Sequence, residues 1–358
     1  MKAYKPKTSN SSIALRYALM SLCLSSVCHA VIFDHLSDKI SYDRRSMLII
    51  LFNIVSVGMM SLFSVFAEKV ENKHTGVRLS ALLTVLGYYL PTDFGIDLKV
   101  VLLGLGSACF YAFASSSILS RSQGKSREIG LLLGGSGIGI ACASFAGFAG
   151  HFFAPLLMIF AIPSDKYENA PENGTKTVFY EQKTAEKVPF LHLSLLFLPL
   201  AYLFLSYEFS SFHFTWNVYF KTQFQLLLMM GLGRAVGGFI SDLIGRVTTV
   251  AASAFGGTLL IFFCSDDKRL SLLGLFLLSM SLAPTVTAFT RLMPKHPAFS
   301  FAIMSASSYL GQTLSLFIGF KDISMLLVSA SLIMIVISAE MPFLTGSEKT
   351  EVYENEDD

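Results

Sequence analysis

The feature that most constrains this chain is a succession of uncharged apolar stretches, each about 20 residues long, set apart by short charged segments. A helix of about 20 residues, rising roughly 1.5 Å per residue, crosses a hydrocarbon core of roughly 30 Å. The 358 residues are 53% hydrophobic and 13% aromatic. Only 15% are charged, where a soluble chain carries about a quarter. A soluble globular enzyme and a large disordered module are thereby excluded. A formal net charge of +2 supports no nucleic-acid partner. The five cysteines (Cys23, Cys28, Cys109, Cys142 and Cys264) lie inside apolar stretches, with no C-x-x-C spacing and no His placed to complete a metal site. They read as buried, inert thiols, and no metal is expected.

Charges delimit twelve expected spans: Ile13–Phe33, Ser46–Ala67, Leu79–Phe94, Val100–Leu119, Ile129–Phe145, Phe148–Ile162, Phe190–Trp216, Phe224–Ser241, Val247–Cys264, Leu270–Thr290, Ala298–Phe320 and Ile323–Met341. The fifth and sixth are tight for two crossings, and the region of His151 offers the turn between them. With both termini inside, 17 Lys and Arg fall on the inner side and 8 on the outer, with Arg16 and Arg234 inside spans. That asymmetry favours cytoplasmic termini, against the dissenting outer cluster Lys39–Arg45. The N-terminus, with lysines, an apolar run and Cys28-His29-Ala30, has the outline of a signal peptide. Arg16 interrupts the run and cleavage would leave eleven spans, so a true first span is expected.

The expected organisation is an N-terminal six-helix half over residues 1–162, a Lys-, Glu-, Asn- and Pro-rich cytoplasmic linker at 163–188, a C-terminal six-helix half over 189–341, and an acidic, solvated tail at 342–358. An internal repeat supports the two halves. Leu102–Lys125 overlies Leu272–Lys295 at a constant offset of 170. Leu102, Leu103, Gly104, Leu105, Arg121 and Lys125 then meet identical residues, and Ser115, Ser117 and Ser120 meet Thr285, Thr287 and Thr290. An Arg and a Lys at the same distance past the end of the same apolar run are hard to assign to composition. Transporters use such paired halves, rocking one against the other around a midplane site.

After the eighth span, Gly238-Phe-Ile-Ser-Asp242-Leu-Ile-Gly245-Arg246 resembles the loop signature of the major facilitator superfamily. Gly238, Asp242, Gly245 and Arg246 match, whereas Leu243 and Val247 stand where bases are expected. Glycines allow a tight turn and close helix approach, and an Asp at a helix terminus can pair with the positive end of another helix. In the first half the matching loop, Ala67–Arg78, retains Gly76 and Arg78 but has Lys73 in place of the Asp, with Glu71 two residues earlier. Within the superfamily, Gly104–Phe110, Ser115–Ser117, Gly134-Gly135, Gly231–Arg246 and Ser210-Ser211 near Tyr219 resemble the fosmidomycin-resistance type of efflux protein. That branch's His-Pro is replaced by Tyr111-Ala112, and its Gly-Pro pair by Ala143-Ser144. The resemblance implies an all-α membrane protein of two pseudo-symmetric six-helix bundles, without catalytic activity or cofactor. It implies solute efflux, with import left open by the missing Gly-Pro; a plasma or bacterial inner membrane and a monomer are also expected.

Ionisable groups at membrane depth cost at least about 2.5 kcal/mol and so call for a partner or a function. Glu208 lies well inside the seventh span, followed by Ser210, Ser211 and His213. A carboxyl that alternates between an apolar site and water can carry a proton, so Glu208 is the expected coupling acid, with His29 and Asp34 as further titratable groups. Arg234, in the eighth span, is expected to attract an anionic group of the solute or to pair with Glu208. Arg16 sits within a turn of the inner interface, where it can also snorkel. Tyr111, Asn53, Gln312, His213 and Ser115–Ser117 are candidate cavity-lining groups, although serines in membrane helices also mediate packing. Trp216 and Tyr219 read as an interfacial belt. The run Gly134-Gly-Ser-Gly-Ile-Gly139 follows no strand and lies in an apolar span, so it signals helix approach and not a nucleotide. No P-loop is present, which disfavours an ATP-driven pump. The expected function is secondary active transport of a small organic solute, coupled to protons. The alternatives are an anion facilitator or exchanger centred on Arg16 and Arg234, and a membrane sensor or scaffold without flux.

Overall fold

The computed structural model describes residues 10–32, 42–91, 95–122, 124–145, 149–162, 191–211, 214, 216, 220–317 and 325–354, and these are helical with short connections. The first six helices are α1 (Asn10–Ala30), α2 (Tyr42–Lys69), α3 (Lys73–Tyr89), α4 (Ile96–Leu119), α5 (Arg127–Phe145) and α6 (Ala149–Ala161). They are followed by α7 (Leu191–Ser211), α8 (Phe220–Ile244), α9 (Arg246–Phe263), α10 (Lys268–Met280), α11 (Leu282–Leu292), α12 (Pro297–Phe317) and α13 (Met325–Glu354). Among the described residues, nine helical stretches are long and apolar enough to cross a membrane, with α10 and α11 counted as one. Of the remainder, α3 has 17 residues and α6 has 13. Helix α12 carries Ser305, Ser307, Ser308, Gln312 and Thr313, which lower its hydropathy. The chain is an integral, multi-pass membrane protein.

Helix α5 ends at Phe145 and α6 starts at Ala149, close to the bounds expected for the fifth and sixth spans, but the turn expected near His151 is not there. His151 is inside α6, its ring 5.3 Å from that of Tyr88 and 6.4 Å from that of Tyr89. The tenth span is interrupted at Ser281, because Pro284 has no N–H to donate to the Met280 carbonyl. The expected tail does not start at 342: α13 runs on through Pro342, and Phe343 is buried under the Arg291 guanidinium, 4.1 Å from its ring centre. The expected linker 163–188 lies outside the described residues.

In the front of the chain α1 packs on α5 and α6, and α4 on α2 and α3; in the back α7 packs on α12 and α13, and α10 on α8 and α9. Front meets back chiefly through α5 on α8 and α2 on α12. The glycine-rich stretch of α5 is two-faced. A Cβ on Gly137 would stand 2.5 Å from the Cα of Gly231, and one on Gly130 2.9 Å from the Cα of Gly238, both on α8. Gly135 and Gly139 face the other way, against the carbonyl oxygens of Ala18 and Leu22 on α1. Lipid gives no hydrophobic drive to helix association, so this close backbone approach supplies the packing contacts that hold α1, α5 and α8 together.

Candidate functional site

A cavity of about 370 Å³ lies between the front and back helices. Regular helix spacing brings its walls together. Helix α2 contributes Ile49, Phe52, Asn53, Ser56 and Met60; α5 contributes Leu133, Ser136, Gly137 and Ile140. From the back, α8 offers Gln223, Leu227, Met230 and Arg234, and α12 offers Phe301, Met304, Ser305, Ser308, Tyr309 and Gln312. His29 from α1, Ile32 just beyond it, Tyr111 from α4, and Leu282 and Val286 from α11 complete the lining. Apolar side chains form most of the wall, and Arg234 is the one charged residue among the described lining residues. A side pocket of about 40 Å³ adjoins it, sharing Met230, Arg234, Ser308 and Gln312 and adding Tyr202, Ser206 and Ser279.

Polar groups in the cavity differ in how fully they are engaged. The Tyr111 hydroxyl is 3.0 Å from both Ser21 Oγ and Ser25 Oγ of α1, and its ring stacks on that of Phe301 with centres 6.3 Å apart. His29 Nδ1 is 2.9 Å from the Ser25 carbonyl oxygen, and its ring meets Phe52 edge-on. Ser308 Oγ receives hydrogen bonds from Ser206 Oγ at 3.3 Å and Gln312 Nε2 at 3.4 Å. Arg234 has no hydrogen-bond or ion-pair partner among the described residues.

Below the cavity, where α2 and α8 end and α5 and α12 begin, front and back are joined by two matching contacts. Asp242, at the end of α8, accepts hydrogen bonds from the backbone N–H groups of Ser126 (2.7 Å) and Arg127 (3.1 Å), which open α5. Glu68, at the end of α2, accepts one from the N–H of Phe299 (3.1 Å) and lies 2.8 Å from His296 Nδ1, at the start of α12. A carboxylate against the first N–H groups of a helix satisfies donors that have no intrahelical partner and complements the positive helix end. Gly238 allows this approach, since a Cβ there would lie 2.6 Å from the Ser126 carbonyl oxygen. Gly245 turns the chain from α8 into α9 at φ +92°, a value suited to glycine.

Arg246 fixes this junction from below. It donates to the Gly124 carbonyl and, at 3.3 Å, to Ser126 Oγ. Its Nη1 is also 2.9 Å from both carboxylate oxygens of Glu340. Arg291 Nη1 lies 2.8 Å from the same carboxylate, whose side chain is only 4% exposed. Gly238, Asp242, Gly245 and Arg246 thus act at one place, with two acids that motif reading did not single out. Glu68 stands four residues after Ser64 as Asp242 stands four after Gly238, a register visible in the sequence once counted from the helix end and not from Gly76. Glu340 is concealed by the apolar run around it; its signal is an acid one residue before that run ends.

Of the other sequence candidates, Arg234, Tyr111, His29, Asn53 and Gln312 line the cavity. Arg16 does not: it donates to the carbonyls of Phe160 (2.6 Å) and Ile162 (2.6 Å), closing the end of α6. Glu208 is not among the cavity-lining residues and forms no ion pair with Arg234; its Oε1 has no hydrogen-bond partner among the described residues. Both departures have one cause, that residue spacing does not say which face of a helix points inward. Asp34 and His213 lie outside the described residues. Trp216 donates from Nε1 to the Ser265 carbonyl at 3.1 Å, with Lys268 over its ring; Tyr219 lies outside the described residues.

No family model matches the sequence, and no curated protein matches it. Its structure is similar to that of the major facilitator superfamily transporter FucP in an outward conformation, with a TM-score of 0.62 at 10% identity over 92% of this chain and 98% of that one. It is equally similar to a single-substitution form of the E. coli fucose:proton symporter FucP, with a TM-score of 0.62 at 12% identity over 93% and 98% of the two chains. At such low identity the likeness establishes the architecture. The chain has the fold seen in these major facilitator superfamily structures.

Proposed function

We propose that this protein is a secondary active transporter that moves a small organic solute by alternating access, two six-helix halves rocking about the central cavity. The observation that carries the reading is the cavity itself, lined by α1, α2, α4 and α5 from one half and by α8, α11 and α12 from the other, and bounded on one side by the Asp242 and Glu68 contacts. Helix pairing supports the halves: α5 on α8 has α12 on α2 as its counterpart, and α1 on α5, α3 on α4 and α3 on α6 recur as α7 on α12, α9 on α10 and α9 on α13. Those exchanges are what a twofold axis between residues 1–162 and 189–341 would generate. With cytoplasmic termini, the cavity faces outward while the cytoplasmic side is latched. Coupling to protons is assigned to His29, the one histidine that lines the cavity among the described residues. Glu208 stands outside the cavity. Outward transport, the direction implied by the likeness of α4 and α5 to the fosmidomycin-resistance type, completes the proposal.

The test is flux in proteoliposomes of a compound that raises the melting temperature of the purified protein, with and without a pH gradient. His29→Gln is expected to retain downhill flux but lose acceleration by the gradient, and Glu208→Gln to retain both. Loss of coupling in Glu208→Gln alone would return the role to that acid. A ligand that stabilises the protein but never crosses the bilayer would favour a sensor or scaffold. A second reading, facilitated passage or exchange without protons, is favoured by one observation: no carboxylate lines the cavity among the described residues. Gradient-insensitive flux in the unmodified protein would establish it.

A further inference from the structure

Arg234 poses a problem that the transport reading leaves unsolved. It lies at membrane depth in α8, where an ionised side chain requires compensation. Among the described residues it makes neither an ion pair nor a hydrogen bond. It is not sealed in the protein interior either, since it borders both the central cavity and the side pocket. A fixed cation so placed, in a site of low polarity, is a place for an anion. Its surroundings supply further donors: the hydroxyls of Ser279, Ser308 and Tyr202 and the second N–H of the Gln312 amide line the same side pocket. At about 40 Å³ that pocket exceeds the roughly 10–15 Å³ a single water needs. It suits the oxygens of one small oxyanion head. The main cavity, about 370 Å³, is at the small end of the range for ligand sites and is walled by Phe52, Phe301, Leu133, Leu227 and Val286.

We propose that the transported solute is a monovalent organic oxyanion with a compact apolar or aromatic body, its charged head held by Arg234 at the mouth of the side pocket and its body in the central cavity. This rests on the transport reading for the movement, but not for the binding. A neutral solute would leave Arg234 uncompensated, and a cationic one would meet like charge. A dianion would bring a second charge to a site where no second cation lines the wall among the described residues.

The test uses isosteric probes with the full-length protein in detergent. Naphthalene-2-sulfonate and naphthalene-2-carboxylate are compared with their neutral twins, the sulfonamide and carboxamide, and with naphthalene-2,6-disulfonate, by calorimetric titration at constant ionic strength. Both monoanions are expected to bind more tightly than the neutral twins and the disulfonate by about tenfold or more, the ratio a charge-assisted hydrogen bond supports. Arg234→Gln should reduce the anion-to-neutral ratio to about one, and Arg234→Lys should retain a preference for the anion, although a weaker one. Equal binding of anion and neutral twin, binding of neither monoanion at millimolar concentration, or an unchanged ratio in Arg234→Gln would overturn the proposal. The two claims fail separately. Naphthalene-2-sulfonate that binds through Arg234 but does not cross proteoliposome membranes leaves the anion site standing and removes transport. Arg234-independent flux of a neutral compound does the reverse.

Discussion

The buried carboxylate of Glu340 is the most direct point at which to perturb the latch. It serves two guanidinium groups at 2.9 and 2.8 Å, and its side chain is 4% exposed against 16% and 18% for Arg246 and Arg291. Removing one member of a buried charge cluster costs about 3–5 kcal/mol, mostly because the remaining charge loses its compensation. Both arginines keep some access to solvent and Arg246 retains Gly124 and Ser126, so about 3 kcal/mol is expected for Glu340→Gln. Arg291→Gln alone should cost less, since Glu340 then still has Arg246. In the double variant a single cation remains, and its cost should fall below the sum of the single costs by about 1–2 kcal/mol, within the range for residues in direct contact. The assay is unfolding of the purified protein in mixed micelles of rising SDS fraction, read as a double-mutant cycle. A Glu340→Gln effect below about 0.5 kcal/mol, or additivity of the two substitutions, would refute the reasoning, since surface changes alone are of that size.

Three further predictions concern helix contacts and caps. Gly137→Val places a Cβ 2.5 Å from the backbone of Gly231 and should destabilise by more than the usual 1–3 kcal/mol of overpacking, whereas Gly58→Ala, with nothing within 4 Å, should stabilise by about 0.5–1 kcal/mol; thermal melting in detergent compares them. Asp242→Ala should cost about 1 kcal/mol as a lost helix cap, and Asp242→Asn, which retains an acceptor oxygen, distinctly less by the same SDS titration. Glu68→Ala should behave like Asp242→Ala, because it removes the equivalent cap on α12; a negligible effect would break the correspondence between the two contacts.

The sequence made some of this architecture legible and left the rest hidden. Apolar length located the membrane helices, because crossing hydrocarbon is a demand on consecutive residues. The loop signature located Asp242 and Arg246, because a turn between two helices must be written locally. Burial direction was less accessible. Yet the cavity walls have a helical rhythm in the sequence: Phe52, Asn53 and Ser56 on α2, Leu133, Ser136, Gly137 and Ile140 on α5, and Ser305, Ser308, Tyr309 and Gln312 on α12 all recur at helical spacing. The stripe on α12 was there to be found. Glu208 and Arg16 are not among the cavity-lining residues, and an ionisable residue in a span attracts a functional reading whichever way it faces. Arg16 instead satisfies carbonyls at the end of α6, and the pairing of Glu340 with two arginines from other helices is a tertiary fact that no local pattern encodes.

Alternating access is best tested by distances at opposite ends of one interface. Spin labels at Lys69 and Lys295, exposed on the latched side, and at Met47 and Leu310, exposed toward the other end of α2 and α12, would report the two ends by electron–electron double resonance in lipid nanodiscs. Two populations are expected in which one separation lengthens as the other shortens, with the balance moved by a bound anion. A single fixed distance at both ends, or ends that widen together, would contradict the account.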